Sequence, residues 1–241
     1  MGVRILTTQN VFGIPIKEIM MPNFEQIIAD VKPRILPLFD QPVPAERDVK
    51  AGSAYFSAIT GAKSIYFDVK QELDSAVDIS FIKDWVEEQA TDFWTELQFN
   101  PRLTPKVINS WCNLGPPGSC VWSHQHTPVV ITCVFYLHST PEMGNLVLEN
   151  PLEQVLAHQP YEMTYGVREF NHEVEAVTGK LVMFPGWVKH HTRPNLTSDT
   201  RMSMALNVIG VGGINAMLGK DDPKTVEMRS KYTAWKETGL Q

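Results

Sequence analysis

Two histidines one residue apart, His124 and His126, stand just upstream of the apolar run Val129-Val130-Ile131-Thr132-Cys133-Val134-Phe135-Tyr136-Leu137. Successive residues of an extended chain point to opposite sides, so residues i and i+2 share a face. His124 and His126 can therefore present both rings to one point, with Gln125 turned away. Neutral imidazole is a ligand for iron, zinc, copper or nickel. A third ring, His190, follows far downstream in Phe184-Pro185-Gly186-Trp187-Val188-Lys189-His190-His191, and Arg201-Met202-Ser203 comes after it. His190 would close a facial set of three nitrogens and leave coordination positions open for other ligands. A lone histidine is more often a hydrogen-bonded structural or surface residue. It is the pair before an apolar run, with a remote third partner, that points to a metal.

Such a set needs strands to hold it. After Pro105 the chain breaks into strand-sized runs at 106–113, 119–124, 129–137, 145–149, 164–176, 180–184, 189–193 and 201–209. Gly115-Pro116-Pro117-Gly118, Pro141-Glu142-Met143-Gly144 and Gly179 punctuate them as turns. Upstream the texture is helical. Asn23 is placed to cap a helix with Gln26 reaching back, and Phe24, Ile27, Ile28 and Val31 form its apolar face. Pro33 and Pro37 weaken or end it. A stronger helix starts near Asp78, with Ile82, Val86, Phe93 and Leu97 at helical spacing, and stops at Asn100-Pro101. Residues 1–20 read as short extended pieces, 40–77 as loops with a short strand or helix, and 215–241 as a charged, partly helical tail. Helices first and about eight strands after describe a mainly β fold with flanking α-helices, a helix-buttressed jelly roll. We expect one domain over 1–241: a helical and irregular part at 1–105, the jelly-roll core at 106–210 and the tail at 211–241.

Composition narrows the function classes. The 241 residues suffice for a sizeable core, and 43% hydrophobic with 20% charged residues is ordinary for a globular protein. A net charge of −6 argues against nucleic acid as the partner. Three scattered cysteines, Cys112, Cys120 and Cys133, make neither a disulfide framework nor a zinc ribbon. Cys133, inside an apolar run, reads as a small buried hydrophobe. No basic-then-apolar leader and no membrane span are visible, so a reducing cytoplasmic setting is expected.

Several motifs in fixed order carry a family resemblance. Ile131 to Leu137 followed by Gly144-Asn145-Leu146 resembles the core of prolyl-hydroxylase-type 2-oxoglutarate oxygenases. Trp111-x-Asn113, His124-x-His126, Tyr136-Leu137, Asn150-Pro151, Phe184-Pro185-x-Trp187-x-x-His190, Pro194-Asn195 and Arg201-x-Ser203-x-x-x-Asn207 resemble a narrower group, the 2-oxoglutarate/Fe(II) oxygenases of marine bacteria and cyanophages. The likeness covers about 106–209.

The resemblance implies a double-stranded β-helix of cupin-like form. It implies an Fe(II) centre that uses 2-oxoglutarate as cosubstrate and hydroxylates a small-molecule or peptide substrate. His124 and His190 match the two histidines of the superfamily's metal triad. Arg201 matches the basic residue that takes the far carboxylate of 2-oxoglutarate; a guanidinium binds a carboxylate through two parallel charge-assisted bonds. Ser203 shares its strand face and could add a hydrogen bond. Tyr136 matches a tyrosine that contacts the cosubstrate, and Asn113 and Asn207 face the expected interior. Each has a plainer alternative: a structural ion pair for Arg201, a core aromatic for Tyr136 and backbone hydrogen bonds for the asparagines.

One position departs from the pattern. His126 stands where the superfamily has a carboxylate, which removes one negative charge and exchanges oxygen for nitrogen. His126 either coordinates or swings out, and a register shift by one would put His191 in place of His190. Two other functions fit the histidines: a cupin-like three-histidine enzyme that uses no 2-oxoglutarate, and a metal-binding jelly roll without turnover. His138, His158 and His172 read as surface or loop residues, and Trp111, Trp122 and Trp187 as lining or plugging the barrel. Residues 40–77 and 152–176, with Tyr161 and Tyr165, are expected as lids that set substrate choice.

Overall fold

The computed structural model describes residues 13–40, 54–56, 63–68, 77–151 and 171–212. In chain order they form β1 (Lys17–Met20), α1 (Phe24–Ile35), β2 (Ala54–Phe56), β3 (Lys63–Asp68), α2 (Ser80–Glu96), β4 (Thr104–Gly115), β5 (Ile131–His138), β6 (Leu146–Glu149), β7 (Asn171–Val174), β8 (Lys180–Pro185), β9 (His190–Thr192) and β10 (Arg201–Val211). Two antiparallel sheets result. The larger runs β1-β8-β5-β10-β4-β3-β2 and the smaller β7-β6-β9. This is the expected helix-flanked jelly roll, a double-stranded β-helix.

Strict alternation along the central strands builds a different environment on each face of the larger sheet. On one side Cys112, Cys133, Phe135, Leu137, Met202, Met204 and Leu206 meet Ile28, Val31, Ile82, Val86, Ala90 and Phe93 from the two helices. At roughly 1.5–3 kcal/mol per fully buried large apolar side chain, this layer is the main store of stability. Burial also pushes the Cys112 and Cys133 thiols well above their ordinary values, so both are inert packing groups. Between the sheets lies a smaller apolar cluster of Tyr136, Leu146, Leu148, Val174, Val182, Phe184 and Val188. Beside it the sandwich opens into a cavity.

Pairing register sets the floor of that cavity. Ser203 of β10 lies opposite Asn113 of β4 and Tyr136 of β5. One step along, Ala205 lies between Trp111 and Val134; the next row is Asn109, Asn207 and Thr132. Arg201 stands at the other end, opposite Gly115.

Some local expectations need correction. Asn23 makes no side-chain cap: its backbone is left-handed (φ 53°), which carries its side chain away from the first-turn N–H groups. Helix α1 runs two residues past Pro33 before a 3-10 turn over Leu36–Asp40, so Pro33 stands in its last turn. The segment 119–124 is not a strand. Its backbone is tied to 192–195 by Asn195 N–H to Ser119 O (2.9 Å) and Thr192 N–H to Val121 O (3.1 Å). The Val121 N–H turns to the Thr192 hydroxyl instead of a carbonyl, so no regular ladder forms. Only His124 and His190 make a bridge. Of the expected strand at 164–176, Asn171–Val174 is one; residues 152–170, the tail beyond 212 and most of 40–77 lie outside the described residues. Within 40–77, β2 and β3 extend the larger sheet. No helix among the described residues is long and apolar enough to cross a membrane.

Candidate metal centre

His124, His126 and His190 converge. One ring nitrogen from each lies within 4.8 Å of the others. Their ring centroids are 4.3 Å (His124–His190), 5.0 Å (His126–His190) and 5.1 Å (His124–His126) apart. The bridge between His124 and His190 holds the two segments together, with N–H to carbonyl bonds of 3.0 and 2.9 Å in the two directions. His126 is pinned to the same partner segment by its N–H to Gly186 O at 2.9 Å. Gly186 permits that approach, because a Cβ there would sit 2.4 Å from Val129 O and 3.0 Å from His126 O.

The second nitrogen of each ring decides what the first can do. His124 Nδ1 lies 2.7 Å from Trp122 O, and His190 Nδ1 lies 3.0 Å from Val188 O. A carbonyl only accepts, so both Nδ1 atoms carry the proton and both Nε2 atoms keep a lone pair. His126 Nδ1 is 2.8 Å from Asn207 Oδ1 and 3.1 Å from the Thr132 hydroxyl. Burial, with the neighbouring His124, lowers His126 to a pKa of about 4, and Asn207 opposes the shift. Burial above all, then His124, lowers His190 to about 3. Both rings are neutral near pH 7, the form that ligates. Three converging imidazoles are a donor set that suits a divalent transition-metal ion.

Across the floor lies Arg201, 4% exposed. Its Nη1 donates to Met143 O (3.0 Å) and Gly144 O (2.7 Å), and its Nη2 donates to the Thr192 hydroxyl (3.0 Å). Three of its five N–H donors are so engaged, and among the described residues two remain. No carboxylate among the described residues pairs with it, and burial lowers its pKa from the ordinary arginine value. A buried, uncompensated guanidinium is costly until an anion arrives. Gly144 (φ 99°) makes room for it: a Cβ there would lie 2.2 Å from Arg193 O and 2.7 Å from Nη1.

The three histidines and Arg201, Ser203, Tyr136 and Asn113 all line one cavity of about 340 Å³, together with Trp111, Ala205 and Thr192. Ala205, the smallest side chain in the middle of the floor, leaves space between the histidine end and the arginine end. Burial raises the Tyr136 hydroxyl above its ordinary value, so it is present as a neutral donor. His191 does not replace His190; its Nδ1 pairs with Glu149 at 2.9 Å. His138 pairs with Asp199 (2.7 Å), and His172 is exposed. Trp111 and Trp122 line the cavity, but Trp187 is about half exposed and does not. Thr192 was missed from the sequence, although its place two residues after His190 puts it on the same strand face.

A segment of the sequence and the fold have counterparts among known proteins. Residues 109–207, which include all three histidines and Arg201, match the family described as "Putative 2OG-Fe(II) oxygenase". By that match, this segment of the chain is similar to the 2-oxoglutarate- and iron(II)-dependent oxygenases. A prolyl-4-hydroxylase of Pseudomonas putida is 17% identical, with 83% of this chain and 94% of that one covered at a TM-score of 0.51. The non-haem α-ketoglutarate-dependent carbocyclase SnoK from nogalamycin biosynthesis is 11% identical, with 81% and 79% covered at a TM-score of 0.53. AviO1 from Streptomyces viridochromogenes Tue57 is 13% identical, with 81% and 89% covered at 0.51. At these identities the likeness is one of fold. No curated protein sequence matches the chain.

Proposed function

We propose that this single-domain oxygenase is a hydroxylase in which His124, His126 and His190 hold Fe(II) and Arg201 anchors 2-oxoglutarate. The observation that carries this reading is one cavity with opposite ends of matching chemistry. At one end stand three imidazoles with Nδ1 occupied; at the other stands a buried guanidinium with two spare donors and no carboxylate partner among the described residues.

Arg201 takes the carboxylate remote from the metal, and the loss of that buried charge on binding strengthens the grip. The Ser203 hydroxyl, one step along the same face, adds a donor, and Tyr136 and Asn113 flank it in the same row. Thr192 and the carbonyls of Met143 and Gly144 fix the plane of the guanidinium. Trp111, Val134 and Leu146 wall the cavity with apolar surface and keep water from the reacting end. Fe(II) and 2-oxoglutarate, when bound, supply dioxygen activation, with the 2-oxo acid oxidised to succinate and carbon dioxide. The chain's own work is orientation and shielding.

The substrate is a small molecule or a peptide, admitted past the exposed Trp122 at the cavity wall. A cytoplasmic setting is supported by the three free cysteines. The test is succinate formation from 2-oxoglutarate by the Fe(II)-loaded protein in air. Succinate from the wild type and none from Arg201→Ala is the expected result. Metal bound with no affinity for 2-oxoglutarate would overturn the proposal in favour of a three-histidine protein of another kind.

A further inference from the structure

The three imidazoles are not oriented alike. His124 and His190 each donate Nδ1–H to the carbonyl two residues back, Trp122 O and Val188 O. The same local device would turn His126 to the carbonyl of His124. That carbonyl is already engaged, because it accepts from His190 N–H at 2.9 Å in the bridge that joins the two segments. The third ring thus takes its partner from elsewhere. It reaches Asn207 Oδ1 at 2.8 Å, 81 residues on, with the Thr132 hydroxyl at 3.1 Å from the same nitrogen. Asn207 is 6% exposed and Thr132 wholly buried, and the two lie opposite each other on β10 and β5.

We infer that Asn207 is the positioning residue for His126: by accepting its Nδ1 proton, it fixes the tautomer and turns the Nε2 lone pair to the metal. This rests on the metal-site reading above and deepens it. Groups in this outer position fix the tautomer and ring plane of a ligating histidine. A carboxylate there would pull the proton and lend the ring negative character; the amide oxygen of Asn207 does not. The centre therefore keeps the full charge of its divalent ion, and that charge is first met by an incoming anion. One strand, β10, thereby serves both ends of the cavity: Arg201 at the anion end and Asn207 behind the metal ligand. The alternative is an Asn207 amide turned the other way, donating to an unprotonated Nδ1. That would leave a hydrogen on Nε2 and forbid coordination.

The experiment uses Co(II) as probe and the full chain. Co(II) affinity is measured for the wild type, His190→Ala, Asn207→Leu and Asn207→Asp. The expected result is a loss of about 10- to 100-fold for N207L, the usual effect of removing such a partner, and full recovery or tighter binding in N207D. N207D is also expected to weaken 2-oxoglutarate binding to the Co(II) protein, a change that a merely structural role would not produce. Unchanged Co(II) affinity in N207L, with H190A weakened, would overturn the inference and leave the metal site standing. Unchanged affinity in H190A would instead overturn the metal site itself. Should N207L fail to fold, the tautomer of His126 in the wild-type apoprotein decides, read from long-range proton–nitrogen NMR correlations. A proton on Nδ1 supports the inference, and a proton on Nε2 refutes it.

Discussion

The two faces of the seven-stranded sheet are both buried, yet they are made of different chemistry. Along β10 the residues Met202, Met204, Leu206 and Val208 face the helices, while Arg201, Ser203 and Ala205 line the cavity and Asn207 lies behind His126. The helix side needs only complementary shape and apolar area. The cavity side buries an arginine, a serine and an asparagine at the cost of their hydration. A strand gains no stability from that exchange, and this polar face is the one proposed to hold the cosubstrate.

Exchanging the two chemistries is the strongest way to break the contrast. Leu206→Asn is expected to cost about 3–5 kcal/mol, because it places an unsatisfied amide in the helix-side core. A urea melt would show it, and a stable L206N protein would deny that this face is the stability layer. Next in size is Arg201→Ala, expected to weaken 2-oxoglutarate binding by roughly 3 kcal/mol, a hundredfold or more, through the loss of a buried charge pair. Its Co(II) affinity should stay within a few-fold of the wild type, as dialysis would show.

Acid acts on the cavity side through its histidines. His126 and His190 have folded-state pKa values depressed by burial to about 4 and about 3, below the ordinary value of 6.5. The unfolded chain therefore binds more protons below pH 6.5. Stability is full above that value and falls as pH drops toward 4, by up to about 1.4 kcal/mol per pH unit for each ring. Melting temperatures of the apoprotein between pH 7 and pH 4.5 should show the decline, and His190→Ala should flatten it. Equal decline in H190A would mean that other groups dominate. The smallest expected effect is that of Thr192→Val. It removes the hydroxyl that accepts from Arg201 Nη2 at 3.0 Å and from Val121 N–H at 2.9 Å. A loss of about 0.5–1.5 kcal/mol in stability and a several-fold weaker 2-oxoglutarate affinity should follow, measured by thermal melt and calorimetry.

Alternation made the polar face of β10 readable in advance. Arg201, Ser203 and Asn207 fall on one side of a strand by parity alone, and the same parity joins His124 to His126 although that segment forms no ladder. The apolar stripe of α2 was legible for the same reason. What parity could not supply was register between strands. That Ser203 lies between Asn113 and Tyr136 depends on pairings over 90 and 67 positions of chain, which no local pattern encodes. Hydrogen-bond partners were equally hidden. Asn23 has the residue type of a helix cap, but its left-handed backbone denies it that role. Thr192 looks like any strand threonine until the guanidinium of Arg201 is seen against it.

The central claim is that one cavity joins a histidine-held metal to a carboxylate-binding arginine. Calorimetric titration of 2-oxoglutarate into the Co(II)-loaded protein tests it most directly, with apoprotein and Arg201→Ala as references. The expected result is saturable one-to-one binding that requires the metal and is lost in R201A. Equal affinity with and without metal, or in R201A, would contradict it.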